Sequence, residues 1–193
     1  MQLRPHQLEA LDKMNTKRLG QVIVPTGGGK TMCMIEDAKR IFAQDSLPKT
    51  IVVVAPRILL ANQLSSEFLE FITDVDVIHV HSGETHHNST ENILIFTTYH
   101  SLHRVEETGI SVDTIYFDEA HNSVQKNFYP ATEHYSRNAD RCYFFTATPK
   151  HSRTPEKAGM NFTKTYGNVI CQIPAPRLVK QGYILPPKVE VYR

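Results

Sequence analysis

One stretch constrains the fold of this 193-residue chain more than any other: Val22-Ile23-Val24-Pro25-Thr26-Gly27-Gly28-Gly29-Lys30-Thr31. An apolar, β-branched run stops at Pro25. Three glycines follow, and Lys30-Thr31 opens a segment of helical period. Glycines let backbone N–H groups converge on one point because no Cβ blocks the approach. The helix that starts there adds unpaired donors and the positive end of its dipole. Such a junction suits a phosphate: Lys30 can reach the terminal phosphates, and the Thr31 hydroxyl can ligate Mg²⁺. The general phosphate-loop pattern begins with a glycine where this chain has Val24. A glycine-rich turn with no ligand is therefore the alternative.

The rest of the chain supplies a setting for that junction. Apolar runs occur at 21–24, 51–54, 75–80, 93–96, 114–117 and 142–145. Several are apolar at consecutive positions, as strands covered on both faces require. Thr31 to Ala43 and Arg57 to Phe71 carry apolar residues at helical spacing between them. Strands alternating with helices predict an α/β fold: a mostly parallel sheet flanked by helices. At roughly 150 residues per domain, the length predicts one domain and a remainder. We place the domain at 1–150 and a proline-rich extension at 151–193. In that extension, Val169 to Ile173 reads as a further strand and Pro176 to Gln181 as a short helix. The segment from Lys188 to Arg193 reads as extended.

Composition removes several classes. Lys+Arg is 21 and Asp+Glu 20, a net +1, so bulk charge supplies no field that would steer a nucleic acid. Any such contact must come from locally placed donors. The apolar runs are too short to span a bilayer, and the N-terminal residues have no signal-peptide core. Three cysteines, Cys33, Cys142 and Cys171, form no C-x-x-C pair, which fits a reduced, intracellular, soluble chain. The cluster His79, His81, His86 and His87 could ligate a metal, but it sits in a polar stretch that reads as a solvated loop.

Tyr116-Phe117-Asp118-Glu119-Ala120-His121 places two acids directly after a buried-type strand. Strand C-termini of a parallel sheet share one edge, where ligands bind. Asp118 would face the phosphate loop and hold Mg²⁺; Glu119 would point at the attacking water.

Together these residues resemble the superfamily 2 helicases and translocases. Residues 25–31 look like their motif I, Asp118-Glu-Ala-His121 like motif II in its DEAH form, and Phe145-Thr146-Ala147-Thr148-Pro149 like motif III. Leu3-Arg4-Pro5-His6-Gln7 resembles the adenine-recognising element upstream of motif I. Residues 54–63 resemble motif Ia, and Thr97-Thr98-Tyr99-His100-Ser101-Leu102 motif Ib. The form of the first element and Tyr183-Ile-Leu-Pro-Pro187 look most like the DNA-repair and type III restriction branch. The resemblance implies a three-layer RecA-like P-loop NTPase domain using ATP and Mg²⁺. Arg4 and Gln7 would take the adenine. Pro25, Thr26, Gly27, Gly28, Gly29, Lys30 and Thr31 would take phosphates and, through Thr31 and Asp118, the metal. Lys30, Asp118 and Glu119 would act in catalysis, and His121, Thr146 and Thr148 would couple nucleotide state to grip. Pro56, Arg57, Gln63, Thr97 and Thr98 would face one nucleic-acid strand, with DNA expected before RNA. Such motors close their ATP site with a second RecA-like domain that brings arginine fingers, so these 193 residues alone should turn over slowly if at all. A nucleotide-responsive clamp without translocation is the alternative. A GTPase is disfavoured by the lack of an Asn-Lys-x-Asp signature.

Overall fold

The computed structural model describes residues 2–44, 47–80, 91–154 and 158–186. Seven strands form one sheet: β1 (Leu19–Ile23), β2 (Thr50–Ala55), β3 (Asp76–Val80), β4 (Ile93–Thr98), β5 (Thr114–Phe117), β6 (Arg141–Thr146) and β7 (Val169–Gln172). Their order is β3-β4-β2-β5-β6-β1-β7, and every pairing is parallel. The predicted parallel α/β sheet is therefore the observed one, and all six apolar runs are strands. Among the described residues the helices are α1 (Pro5–Thr16), α2 (Lys30–Phe42), α3 (Ile58–Phe71), α4 (Leu102–Glu107), α5 (Tyr129–Asn138), α6 (Thr163–Tyr166) and α7 (Ala175–Lys180).

The five inner strands β1, β2, β4, β5 and β6 are buried on both faces because each face meets a different helical layer, while the edge strands β3 and β7 are partly exposed. Val53, Phe96, Tyr116, Tyr143 and Phe145 pack with Met14 of α1, Met34, Ile35 and Ala38 of α2, and Leu64 and Phe68 of α3. Val52, Ile95, Ile115, Phe117 and Phe144 point the other way, onto Leu102 and Val105 of α4, Tyr135 of α5 and Tyr166. The period-2 alternation of strand side chains feeds both layers from the same apolar run. Full burial of each such side chain contributes about 1.5–3 kcal/mol.

Residues 169–180 form the strand and helix expected of them. β7 pairs with β1 at the sheet edge, and Leu178 of α7 is fully buried. His81, His86 and His87, together with Lys188 to Arg193, lie outside the described residues. No described helix is long and apolar enough to cross a membrane.

Candidate nucleotide site

In a parallel sheet every strand ends on the same side. Here β1 runs into the glycine loop, β5 into Asp118-Glu119 and β6 into Thr146. β6 lies between β1 and β5, with Ile23 opposite Thr146 and Phe117 opposite Phe144. The loop and the acids thus flank the end of one intervening strand, and the Lys30 side chain crosses it. Lys30 Nζ is bonded to Glu119 Oε1 and lies 3.4 Å from Asp118 Oδ1. All three groups named as catalytic from the sequence are in one cluster.

The glycine loop is held tightly from below. Gly28 N–H donates to the Pro25 carbonyl at 2.9 Å, closing a turn. Gly29 is the residue before α2 and has φ 77°, a left-handed conformation natural to glycine. A Cβ there would also lie 2.5 Å from Gln7 Nε2. Two side chains of α1 reach the loop carbonyls: His6 Nε2–H donates to Gly28 O at 2.6 Å, and Gln7 Nε2 to Gly29 O at 3.0 Å. The other end of the Gln7 amide accepts from Arg4 N–H at 2.7 Å. Gln7, expected at an adenine edge, therefore has both ends of its amide engaged by the protein's own backbone. Thr26 and Gly27 are exposed, and Pro25 and Thr31 half-buried.

Asp118 is 3% exposed, and its Oδ1 has no hydrogen-bond partner. Burial pushes its carboxyl above the usual aspartate range; Lys30 pulls it back and Glu119 pushes it further up. Its carbonyl accepts from the Tyr99 hydroxyl at 2.7 Å. Glu119 has φ 48° and ψ 51°, left-handed in a non-glycine residue. Such a backbone costs of order 1–3 kcal/mol and persists only where its surroundings enforce it. Asn122 does so, with its backbone N–H and its Nδ2 both donating to Glu119 O, at 3.1 and 2.9 Å. Next to it, His121 Nδ1 is bonded to Thr146 Oγ1 at 2.9 Å, and Thr148 N–H donates to that same oxygen at 3.1 Å. The three residues expected to couple nucleotide state to grip thus form one contiguous chain.

The sequence profile described as "Type III restriction enzyme, res subunit" (ResIII) matches residues 1–151. The chain belongs to the ResIII family. Its fold and motif order are those of the first RecA-like domain of superfamily 2 helicases. Among solved structures, a nuclease-deletion mutant of the Type ISP restriction-modification enzyme LlaGI, in complex with a DNA substrate mimic, aligns with TM-score 0.75 at 18% identity, covering 95% of this chain and 21% of that one. The ATP-dependent Type ISP enzyme LlaBIII bound to DNA gives TM-score 0.75 at 19% identity, over 94% and 16%. The UvsW helicase from bacteriophage T4 gives 0.61 at 15%, over 88% and 60%. At these identities the likeness is one of fold. The chain therefore spans about a fifth or less of the restriction enzymes and three fifths of UvsW. No curated protein matches its sequence.

Mg²⁺, which the ResIII fold implies, fits the residues present. Asp118 offers a buried carboxylate oxygen that makes no hydrogen bond and whose one charged neighbour among the described ion pairs is Lys30, 3.4 Å away, the residue that opens the helix carrying Thr31. The residues expected at nucleic acid divide into two groups. Pro56, Arg57 and Leu60 line a cleft of about 580 Å³ with Glu119, His121 and Asn122, and Arg57 and Gln63 are exposed. Thr97 and Thr98 are not presented in the same way. Thr97 is fully buried and donates to Val80 O at 2.5 Å; Thr98 is 5% exposed and caps the following 3-10 turn by accepting from Ser101 N–H at 3.3 Å. The two hydroxyls are spent within the fold, that of Thr98 as a cap and that of Thr97 on the end of the neighbouring strand β3.

Sequence reasoning missed the residues of the C-terminal segment that close the loop's far side. Leu178 packs at Gly28, Ile184 at Gly27, and the Tyr183 ring lies over the Arg4 guanidinium at 4.8 Å. The helix of this segment was legible in the sequence; its return onto the phosphate loop has no local signal.

Proposed function

We propose that this domain binds ATP·Mg²⁺ on its glycine loop and forms half of an ATP-driven motor acting on nucleic acid. One observation carries the reading: Lys30 crosses the end of β6 to touch both acids of the Asp-Glu pair. A triphosphate laid along the loop competes for Lys30. Once Lys30 turns to the phosphates, the Glu119 carboxylate is released to hold the attacking water, its backbone already fixed by Asn122. Asp118 and Thr31 would hold Mg²⁺, which supplies charge neutralisation to the phosphate oxygens. His121, bonded to Thr146, reports the position of the Glu119 segment to motif III.

Arg57 and Gln63, exposed beside the Glu119 cleft, would contact the sugar–phosphate backbone of a strand, DNA before RNA; such contacts position without reading sequence. The LlaGI and LlaBIII structures, both bound to DNA or a mimic of it, support that side of the reading. A second RecA-like domain, in the same or another chain, would add the arginine finger. That finger contributes about 10³–10⁵ in turnover, roughly 4–7 kcal/mol of barrier.

The test is calorimetric titration with Mg-ATP. Lys30→Ala should abolish binding, while Glu119→Gln should retain it and remove residual hydrolysis. Unchanged affinity in Lys30→Ala would overturn the site assignment.

A further inference from the structure

The sheet edge that carries the nucleotide site holds a further cleft, which the proposed function does not use. It encloses about 480 Å³ between the start of α5 and the loop that leaves β6. Val124, Tyr129 and Pro130 line it with apolar surface. Two segments of chain form its sides, and each supplies a lysine: Lys126 from the segment after β5, Lys150 from the segment after β6. Both lysines are exposed, and neither is in an ion pair among the described residues. No acid is among the described residues that line the cleft. Glu133, the acid that acts on the Tyr129 hydroxyl from the next turn of α5, pairs with Arg137 at 3.6 Å.

Both sides are fixed from within the fold. The Lys150 carbonyl accepts from Met160 N–H at 2.7 Å; Met160 is fully buried, and its own carbonyl accepts from Gln21 Nε2 at 2.8 Å. Ser152 N–H donates to Asn161 Oδ1 at 2.8 Å, and Asn161 Nδ2 donates back to Ser152 O at 2.9 Å. Opposite, the Gln125 carbonyl accepts from the N–H groups of Phe128 and Tyr129, each at 2.9 Å. The Tyr129 and Thr165 hydroxyls are bonded at 2.7 Å, which sets the ring. The backbone near each lysine is thus held while the ammonium groups stay in solvent. Cations over a fixed aromatic and apolar surface suit a single nucleic-acid strand: the cations take phosphates, the surface takes a sugar or the face of a base. An acidic protein segment offers the same charge, and continuity decides between the two. Asn122 lines the Arg57 cleft and Gln125 lines this one. Gln125 N–H donates to Asn122 O at 3.3 Å, and Gln125 Nε2 to Asn122 Oδ1 at 3.5 Å, so the two clefts adjoin. Arg57, Lys126 and Lys150 follow β2, β5 and β6, three neighbours in the sheet spaced about 4.8 Å apart.

We propose that this cleft is a further nucleic-acid contact. A strand held at Arg57 passes over the Asn122–Gln125 bridge and lays its phosphates against Lys126 and Lys150, with a sugar or base on Tyr129. Such contacts go to the backbone and to faces every base has, so they read no sequence. The inference rests on the nucleic-acid side of the proposed function and extends it to residues outside Arg57 and Gln63. Lys126 lies four residues past Asn122, which holds Glu119, and Lys150 two past Thr148, which hangs on Thr146. The two grips on the strand are therefore carried by the two segments that meet at the nucleotide site.

The experiment titrates the 193-residue chain into a labelled oligothymidylate of about 12 nucleotides, by fluorescence anisotropy over a series of salt concentrations from low to physiological. Each phosphate contact on a single strand adds about 0.7 to the slope of log affinity against log salt. Lys126→Ala and Lys150→Ala should each flatten that slope by about 0.7, and together by about 1.4. Both side chains are exposed, so thermal midpoints should match the parent. In a second readout, 5-iodouracil replaces thymine, and irradiation followed by mass spectrometry should find a crosslink on Tyr129. An unchanged slope in the double variant, or no crosslink on Tyr129, overturns this inference alone if Arg57→Ala still weakens binding. A polyglutamate of matched charge that binds as tightly and with the same lysine dependence also overturns it, and assigns the cleft to an acidic protein. A parent chain that binds no oligonucleotide even at low salt overturns the nucleic-acid side of the proposed function and this inference with it.

Discussion

The buried ion pair behind the sheet gives the sharpest stability prediction. Asp37 of α2 is 1% exposed, and its two oxygens accept from Arg141 Nη2 and Nη1, each at 2.8 Å. The Tyr116 hydroxyl also donates to Oδ2. Burial works against the Arg141 charge, but the bonds to Asp37 and its field outweigh it, so the guanidinium pKa is held above its ordinary value. Asp37→Leu leaves that guanidinium, 18% exposed, without its counter-charge and strands the Tyr116 hydroxyl. Removing one partner of such a pair costs about 3–5 kcal/mol. For a domain this long, each kcal/mol lowers Tm by about 2–4 °C, so the loss should be roughly 6–20 °C. Arg141→Met should cost as much, because it strands the carboxylate instead. The double variant Asp37→Leu/Arg141→Met leaves no buried charge, and apolar replacement of an intact pair is often neutral or stabilising. With Tyr116→Phe added, no orphaned hydroxyl remains. Urea unfolding at pH 7 should therefore rank the combined variant above either single one. Single variants within 1 kcal/mol of the parent, or a combined variant with the sum of the two losses, would refute this account of the pair.

Asp118→Asn should stabilise the nucleotide-free domain at pH 7. The folded-state pKa of Asp118 is raised, so its ionisation costs stability once the pH exceeds the unfolded value, and no such cost exists below that value. The gain read from urea midpoints should shrink as the pH is lowered toward the ordinary aspartate range. A gain that is constant with pH would rule the linkage out. Cys33, Cys142 and Cys171 are all buried, and burial pushes the thiols of Cys33 and Cys171 up to about 12 and about 11. An aromatic disulfide reagent at neutral pH should release nothing from the native domain and the equivalent of all three thiols after denaturation; fast release in the native state would contradict the packing. Finally, ATP turnover by these residues alone should lie about 10³–10⁵ below that of the same residues joined to a second RecA-like domain. Comparable steady-state rates would remove the need for the partner.

How far the sequence carries depends on which physical signal a feature leaves. Strands covered on both faces must be apolar at successive positions, so all six were legible, and so was the edge that collects Lys30, Asp118 and Thr146. Side-chain direction at a strand end leaves no such trace. Thr97 and Thr98 were placed on the correct edge, yet they turn inward to Val80 O and Ser101 N–H. The element around Gln7 was located as a motif, but its partners are loop carbonyls 22 residues on, invisible to local pattern. α5 was not read at all: its buried side is Ala131, Thr132, Tyr135 and Ser136, half of it polar. Ser136 and Tyr129 are satisfied across the core by Thr165. Asp37 likewise reads as one more solvated helix position until Arg141, 104 residues later, is brought beside it.

Strand order explains why one cluster can serve both chemistry and signalling. Had β5 paired directly with β1, the loop and the acids would meet with nothing between them. Instead β6 lies between the two, and its last residue, Thr146, stands under the span that Lys30 crosses. The Glu119 carbonyl is held by Asn122, whose Nδ2 also contacts His121 Nε2 at 3.4 Å. His121 in turn is bonded to Thr146, on which the Thr148 backbone hangs. Under the proposed function, exchange of Lys30 from Glu119 to a phosphate would alter a bond network that ends on the segment after β6. That segment leads to β7 and α7, and so back to Tyr183 above the loop.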